Sequence, residues 1–475
     1  MTLLLLSIAA VAVHGYHPYA EDAEIYLPGV EKALHPELFP VGTAFFESHA
    51  SLSLFSNLIA YSVRVTRLPF PYAPFAWHLA SIFLFLLAAW QLSGRCFESL
   101  RARAGAVALI SALLTMPVAG TALYIMDQYV NARNLAAFSA VFAVVRTLER
   151  KYARAAVWLV FTAAIHPLMA AFAISFCLLL PIVEKIAIPM RVFALLPFSG
   201  FFNPPSPAYH EAARLHGFHY ILQWQWYEWL GIVAPIPLFW WFRRIAQSRH
   251  LPDMVRMCRA LVMYDLAYFV AALVVSVPKR FEALARIQPL RSLHLLYILL
   301  LMFAGGLIAE HILKKSALRW IIFFAPLVTG MFLAQRVLFP ASDHIEWPWA
   351  APRNEWAQAF LWIQQNTPTD SILAIDPEYM KIPGEDMVGF RALTQRSRLA
   401  DIVKDSGPVS MFPPLAEQWY EQLQAQRNWK HFEKADFLRL RHDYGVNWVV
   451  LQVPGVTDLS CPYQNPTVRV CQIGN

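Results

Sequence analysis

The sequence predicts a polytopic α-helical membrane protein with a small α/β domain at its C-terminal end. Three observations lead to this fold class. Hydrophobic residues make up 57% of the 475 residues and charged residues only 15%, whereas a soluble domain averages about 25% charged residues. The apolar residues fall in long runs, and only the stretch after residue 340 has a soluble composition. These features exclude a soluble cytosolic enzyme, a disordered chain and a small disulfide-stabilised protein.

A helix crossing the hydrocarbon core needs about 20 mostly apolar residues, and fewer where neighbouring helices shelter it. We predict about eleven transmembrane helices on this basis. The predicted spans are 2–13, 75–92, 104–121, 132–147, 155–167, 168–183, 189–201, 223–242, 258–277, 293–312 and 317–337. The first has neither a basic leading region nor a small-residue cleavage site, so we interpret it as an anchor rather than a signal peptide.

Lys and Arg residues cluster in four loops, which all lie on one side of the membrane if residues 51–66 do not cross it. The loops lie near residues 95–103, 146–154, 243–259 and 314–319. Because Asn57 and Arg64 interrupt 51–66 and Arg67 follows it directly, this segment suits an interfacial helix. The positive-inside rule then predicts a cytoplasmic N-terminus and an outer C-terminal region.

Two domains are expected from this topology. Residues 1–340 form the transmembrane domain, including a first outer loop (14–74) that contains the interfacial helix, and residues 341–475 form an extracytoplasmic α/β domain. Helices and strands alternate in the second domain, as α/β folds require. The predicted helices are 354–365, 415–426 and 430–441, and the predicted strands are 371–375, 448–453 and 468–473.

Acidic residues follow the first span. Glu21, Asp22 and Glu24 lie within four residues, and Asp127, in a short loop between the third and fourth spans, emerges on the same outer face. Such crowding raises carboxylate pKa values or holds a divalent cation; the alternative is a solvated acidic loop. The remaining candidates for the same cavity are Arg133 and His166, although a lone histidine is more often structural.

A second group is basic and lies, against the positive-inside rule, in a predicted outer loop. Its side chains are suited to clamp a phosphate through charge-assisted hydrogen bonds; the alternatives are lipid headgroups or pairing with Glu282. The candidates are Lys279, Arg280, Arg286, Arg291 and His294, the last of these one helical turn after Arg291.

Other motifs are weak. The sequence has no P-loop, Rossmann glycine fingerprint, H-E-x-x-H or G-x-S-x-G, and no Lys/Arg run suited to nucleic acid. A histidine-rich loop is a poor match to any zinc site; its residues are His210, Glu211, His216 and His219. In an oxidising outer compartment, Cys461 and Cys471 are expected to form a disulfide.

An anchor span, an outer loop that opens with acidic residues, an interfacial helix, many spans and an outer α/β domain together resemble the GT-C superfamily of polytopic glycosyltransferases. The local resemblance lies in Tyr19–Ala20–Glu21–Asp22, in Ser48–His49–Ala50, and in tail segments 362–370 and 444–451 that are similar to uncharacterised bacterial members. The resemblance implies a polyprenyl-phosphate sugar donor, Asp22 or Glu21 as catalytic base, and Asp127 as second acidic residue. The second outer loop lacks Asp-x-Asp, which argues against metal-dependent oligosaccharyl transfer.

We therefore predict a transferase that moves a hexosyl or pentosyl group with inversion on the outer face of a bacterial inner membrane. Its pathway is cell-envelope polysaccharide synthesis, lipid modification or protein glycosylation. Cationic residues would stabilise the leaving phosphate and a carboxylate would deprotonate the acceptor, which is a glycan, a lipid or a protein. No cofactor is expected apart from an optional divalent cation. Two alternatives remain: a non-catalytic GT-C-like scaffold, or a lipid or polysaccharide transporter. A transporter requires charged residues inside the spans.

Overall fold

The computed structural model describes residues 1–183, 206–276, 284, 286–456 and 458–474. The predicted span 189–201 and the candidates Lys279 and Arg280 lie outside the described residues. The α-helices before residue 340 are α1 (Thr2–His14), α2 (Ala23–Leu34), α3 (Ala44–Ala50), α4 (Phe55–Thr66), α5 (Tyr72–Cys96), α6 (Leu100–Ala112), α7 (Ala132–Leu148), α8 (Tyr152–Ile165), α9 (Pro167–Ile182), α10 (Pro207–Arg214), α11 (Trp226–Val233), α12 (Pro235–Ser248), α13 (Pro252–Ser276), α14 (Leu293–Ile308) and α15 (Ala317–Leu338).

Four helices of the described chain are long and apolar enough to cross a membrane: α5, α13, α15 and the continuous stretch Pro289–Leu313 that contains α14. Helices α1, α8 and α9 are apolar but shorter. The helical membrane class is therefore confirmed, while the count of eleven spans stays a prediction. Two predicted spans have different bounds in the structure. Helix α6 ends at Ala112 rather than near residue 121, and the predicted span 223–242 is divided at Pro235 into α11 and α12.

Helix α7 lies at the centre of the helical domain and is buried along almost its whole length. A helix that is buried on all sides must be surrounded by other helices. Small residues allow α6 and α14 to approach closely, since a Cβ atom added at Gly105 would lie only 2.6 Å from the carbonyl oxygen of Gly305. Asp265 is a buried acidic side chain in the middle of α13, and its Oδ2 has no hydrogen-bond partner among the described residues.

The first outer loop folds into α2, α3 and α4. Helix α4 buries Phe55 and Ile59 in the main core but exposes Tyr61 and Val65. A helix with buried apolar residues on one side and exposed apolar residues on the other suits the boundary between protein, lipid and water. This arrangement fits the interfacial helix predicted within 51–66.

The C-terminal domain is a five-stranded sheet flanked by helices. Its helices are α16 (Glu355–Asn366), α17 (Phe390–Thr394), α18 (Ser406–Met411), α19 (Ala416–Ala425) and α20 (Lys434–Tyr444), and its strands are β1 (Ile372–Ile375), β2 (Ser397–Arg398), β3 (Trp448–Gln452), β4 (Ser460–Gln464) and β5 (Val468–Gln472). The strand order is β2-β1-β3-β5-β4. Strand β1 pairs in parallel with β2 and β3, and β5 runs antiparallel to β3 and β4.

Each face of this sheet has its own apolar core. Leu373 and Val450 face α16, whereas Ala374 and Val449 face α20, as the period of two in a strand requires. The structure joins Cys461 in β4 to Cys471 in β5 by a disulfide bond. The confirmed small sheet contains two strands that the sequence pattern did not predict, β2 and β4.

A buried ionic cluster attaches this domain to the first outer loop. Glu24 of α2 is 0% exposed and pairs with Arg391 and Arg398. The two arginines also pair with Asp401 and Asp405. We call these five residues the interdomain charge cluster. Its members are buried, so the cluster holds the two domains in a fixed relation.

Candidate functional site

A cavity of about 270 Å³ lies where the first outer loop, the loop before α7, the residues after α10 and the C-terminal domain meet. We call it the acidic–basic cavity. Its charged lining residues are Glu21, Asp22, Asp127, Arg133, Arg291 and Lys404, and its uncharged polar lining includes Tyr26, His49, Tyr129, His216, His219 and Gln288. Among the described lining residues, carboxylates and cations are thus equal in number.

The segment that carries the first two carboxylates is fixed by backbone pairing. Glu21 donates its N–H to the carbonyl of Met387 at 2.9 Å, and Gly389 donates to the carbonyl of Tyr19 at 2.6 Å. A Cβ atom on Gly389 would lie 3.0 Å from that carbonyl oxygen, so this close approach favours glycine. Glu21 itself adopts φ 56°, a left-handed conformation that non-glycine residues adopt at a cost and that is frequent at functional sites.

Arg133 connects the two aspartates. Its Nη1 donates to Asp22 Oδ2 at 2.9 Å and its Nη2 to Asp127 Oδ2 at 3.1 Å. Asn131, the N-cap residue of α7, also donates to Asp127 Oδ2, at 2.6 Å. The first turn of α7 therefore aligns a guanidinium between carboxylates that are 105 residues apart in sequence.

Lys404 reaches the same carboxylates from the C-terminal domain. Its Nζ lies 2.7 Å from Glu21 Oε2 and 3.1 Å from Asp22 Oδ1. Burial raises the pKa of Asp22, but the cations of Lys404 and Arg133 outweigh that effect and hold this pKa far below its usual range. The Asp22 side chain is 29% exposed. It is therefore an ionised carboxylate with a cation at each of its two oxygens.

Arg291 is the cation that the carboxylates do not bind. Its half-buried side chain lines the cavity, and no ion pair joins it to any described residue. Its uncharged neighbours include His49, since burial lowers the pKa of that imidazole to about 4. His219 Nε2 and Gln288 Oε1 also have no hydrogen-bond partner within the described chain. This end of the cavity can accept an anion.

Several sequence candidates lie elsewhere. Glu24 belongs to the interdomain charge cluster, and His294 donates from Nε2 to the carbonyl of Ile125 at 2.9 Å. His166 caps α9, where its Nδ1 faces the N–H of Met169. Arg286 does not line the cavity. The structure thus groups five candidates, Glu21, Asp22, Asp127, Arg133 and Arg291. Of the four other described candidates, Glu24, His166 and His294 have structural positions, and Arg286 lies outside the cavity.

A divalent cation does not fit these residues. Cations of this kind require several free carboxylate, imidazole or thiolate ligands, yet Asp22 and Asp127 already bind Arg133 and Lys404. In the described ranges no three His, Cys, Asp or Glu side chains are grouped to hold a metal. In the histidine-rich loop, His210 is exposed and His216 Nε2 lies 3.1 Å from Ser406 Oγ.

Lys404 is the residue that sequence reasoning missed. It lies in Asp401–Ile402–Val403–Lys404–Asp405, where alternating charges are typical of a solvated loop. Tyr26 and His49 were also missed, since each is an aromatic residue in a helix of the outer loop. The sequence indicated this cation only indirectly. The acidic residues near Asp22 are in excess, so a cation from another part of the chain was needed to balance them.

Comparison with known proteins adds little to this description. No family model and no curated protein matches the chain. Two solved oligosaccharyltransferase structures from Archaeoglobus fulgidus are similar over 95% of this chain and 69% of their own chains, at 12% identity and with TM-scores of 0.47 and 0.46. The first is AglB in complex with an inhibitory peptide and a dolichol-phosphate, and the second is an apo form. These TM-scores and this identity are too low to support a conclusion about this chain.

Proposed function

We propose that this protein is a membrane glycosyltransferase that transfers a sugar with inversion from a polyprenyl-phosphate donor to an acceptor on the outer face of the membrane. One observation carries the proposal: Arg291, a cation without an ion-pair partner among the described residues, faces ion-paired carboxylates across one cavity. Glycosyl transfer from a phosphate needs these two functions, a site for the leaving anion and an oxygen that accepts the proton of the attacking hydroxyl.

The donor phosphate is assigned to Arg291. Its guanidinium would form charge-assisted hydrogen bonds to the phosphate in the ground state and neutralise charge as the glycosidic C–O bond breaks. His219 and Gln288, which line the same end of the cavity, supply further polar atoms. Neutral histidines there can donate a hydrogen bond to the phosphate without adding charge.

Asp22 is assigned as the base. The acceptor hydroxyl attacks C1 of the sugar, its oxygen forms the new bond, the phosphate leaves with the bonding electrons, and the hydroxyl proton passes to Asp22 Oδ1. Lys404 Nζ donates a hydrogen bond to Asp22 Oδ1 at 3.1 Å, but its hydrogen bond to Glu21 Oε2 is shorter, at 2.7 Å. Lys404 can therefore shift to Glu21 as the acceptor binds. Loss of the Lys404 contact would remove one of the two cations that lower the pKa of Asp22, which would make this carboxylate a stronger base as the acceptor binds.

The proposal is tested in liposomes with radiolabelled polyprenyl-phosphate hexose and pentose donors. Asp22→Asn should abolish transfer and leave donor binding intact, whereas Arg291→Ala should weaken donor binding and slow transfer together. Arg67→Ala removes an exposed cation outside the cavity and is the matched control. A chelator should leave transfer unchanged, because the residues do not fit a divalent cation.

The outcomes separate the alternatives. Full activity in Asp22→Asn would remove this carboxylate from the mechanism. Donor binding without transfer in the wild type would indicate the non-catalytic scaffold. Donor that crosses the bilayer unaltered, with a rate that depends on Asp265, would indicate a transporter, since Asp265 is an acidic residue inside a span.

A further inference from the structure

A second cavity, of about 300 Å³, lies in the C-terminal domain beside the carboxyl ends of β1 and β3. We call it the β1–β3 cavity. These strands are parallel neighbours. In the sheet, β1 lies between β2 and β3, so the next strand in sequence, β2, pairs with one edge of β1 and β3 pairs with its other edge. In open sheets with parallel strands, ligands bind outside the carboxyl ends at such a reversal of strand order. The volume lies at the lower end of the usual range for small-molecule sites, about 300 to 1,000 Å³.

One wall of the β1–β3 cavity is aromatic. Trp429 is half-buried and packs against Phe432 and Phe437, with ring centroids 5.2 and 5.4 Å apart. All three rings line the cavity. The rings support one another, so Trp429 forms a firm apolar surface at the cavity wall.

Another part of the cavity wall is polar. Asp376 directly follows β1 and Gln452 ends β3, and both line the cavity. Asp376 Oδ1 accepts the N–H of Glu378 at 2.9 Å, and no other hydrogen bond to its side chain is present in the described chain. Gln452 is exposed. Carboxylate and amide groups are thus available to a ligand.

Trp356 gives independent evidence for a ligand. It is 2% exposed and lines the cavity, yet its indole N–H has no hydrogen-bond partner among the described residues. Buried indole N–H groups are normally satisfied, because leaving one without a partner costs roughly 1 to 3 kcal/mol. The nitrogen itself is buried, so a ligand oxygen in the cavity would satisfy it after a small shift of the indole ring.

We propose that the β1–β3 cavity binds a neutral saccharide unit. A sugar ring presents C–H groups to an aromatic surface and vicinal hydroxyls to carboxylate and amide groups, and these are the two walls described above. A nucleotide phosphate fits poorly, since the loop after β1 reads Asp376–Pro377–Glu378. This loop supplies negative charge and a proline where phosphate binding needs backbone N–H groups. Lys430 is the one cation among the described lining residues, and it is exposed.

The test uses the full chain in lipid nanodiscs, which avoids sugar-based detergents. The probes are methyl glycosides of glucose, galactose, mannose and N-acetylglucosamine, with cellobiose and maltose, observed by saturation-transfer difference NMR. At least one probe should receive saturation at its ring C–H protons. Asp376→Asn should weaken its binding about tenfold or more, the size expected for one lost charge-assisted hydrogen bond.

Controls keep the result specific. Asp370→Asn alters an exposed aspartate outside the cavity and should leave binding unchanged. Trp429→Ala should abolish saturation transfer, and Asp376→Asn remains informative if Trp429→Ala does not fold. Arg291→Ala, which should weaken donor binding in the acidic–basic cavity, should leave saturation transfer to these probes unchanged, and this separates the two sites. Absence of transfer to every probe, insensitivity to Asp376→Asn, or displacement by uridine monophosphate would overturn the proposal.

Discussion

Replacing Glu24 by glutamine should detach the C-terminal domain from the first outer loop. Both carboxylate oxygens of Glu24 accept only N–H donors. Oε1 accepts from Arg398 Nε at 3.0 Å and Nη2 at 2.8 Å, and Oε2 accepts the backbone N–H of Arg391 at 2.7 Å. An amide has one oxygen, so in either orientation its NH₂ group must face a donor.

The expected loss follows from that geometry. If the amide oxygen faces the arginines, the backbone N–H of Arg391 becomes an unsatisfied buried donor. If it faces the backbone, the guanidinium of Arg398 loses its contacts to Glu24. Hydrogen bonds to charged groups contribute about 1.5 to 3 kcal/mol each, and breaking a buried ion pair costs about 3 to 5 kcal/mol. We expect a loss of about 3 kcal/mol or more in interdomain stability.

Hydrogen exchange measured by mass spectrometry checks this value locally. A loss of about 3 kcal/mol lowers protection of the amides near Arg391 and Arg398 roughly a hundredfold. Amides in α7 should keep their protection, because the main helical core does not depend on Glu24. A Glu24→Gln variant whose amides near Arg391 exchange at the wild-type rate would refute the reasoning.

Glu31, a second buried glutamate of α2, is the matched control. Its Oε1 accepts from Gln395 at 3.2 Å, but its Oε2 has no partner among the described residues. Burial raises the pKa of Glu31 well above its usual value. The stability that this residue contributes is therefore present below its unfolded pKa, near 4.5, and is lost as pH rises through the higher folded pKa. Glu31→Gln should leave stability unchanged at pH 4 and increase it at pH 8; a loss at pH 8 would contradict this assignment.

Three other predictions concern separate parts of the molecule. Asp265→Leu should raise the thermal unfolding midpoint, because it removes a buried carboxylate oxygen that lacks a partner among the described residues. Burying such an oxygen costs about 1 to 3 kcal/mol. An unchanged or lower midpoint would show that the carboxylate is satisfied. Replacing Cys461 and Cys471 together by serine should lower the stability of the C-terminal domain by about 2 to 3 kcal/mol in chemical unfolding, since the bond closes a short loop; wild-type stability would be the contrary result. A reporter fused after residue 475 should be active only outside the cytoplasm, and cytoplasmic activity would reverse the topology.

The general architecture could be predicted because it depends on local patterns. Long apolar runs identified the spans, and short apolar runs between predicted helices identified β1, β3 and β5. Strand β2, which spans Ser397–Arg398, is too short for any periodic signal. The end of α6 at Ala112 was missed because the residues that follow remain apolar although they leave the helix, with Pro117 in an isolated bridge.

The candidate site was only partly predictable for a different reason. Topology places Asp22, Asp127 and Arg291 on one face, and no further information was needed to group them. The sequence did not show that Glu24 and Asp22 have different roles, because both are acidic residues of one short segment. The helix that begins between them points the two side chains in different directions. Lys404 lies 382 residues from Asp22, and no local pattern in a single sequence specifies such a pair.

That separation has a consequence for biosynthesis. Asp22 leaves the ribosome long before Lys404, which follows after all the described long apolar helices have been made. During that interval Asp22 has no cation from the C-terminal domain, and the cavity has no wall on the side of α18. The charged pocket is therefore completed only when the outer domain has folded and docked through Glu24, so a chain truncated before residue 391 would insert its helices into the membrane without ever forming a closed site.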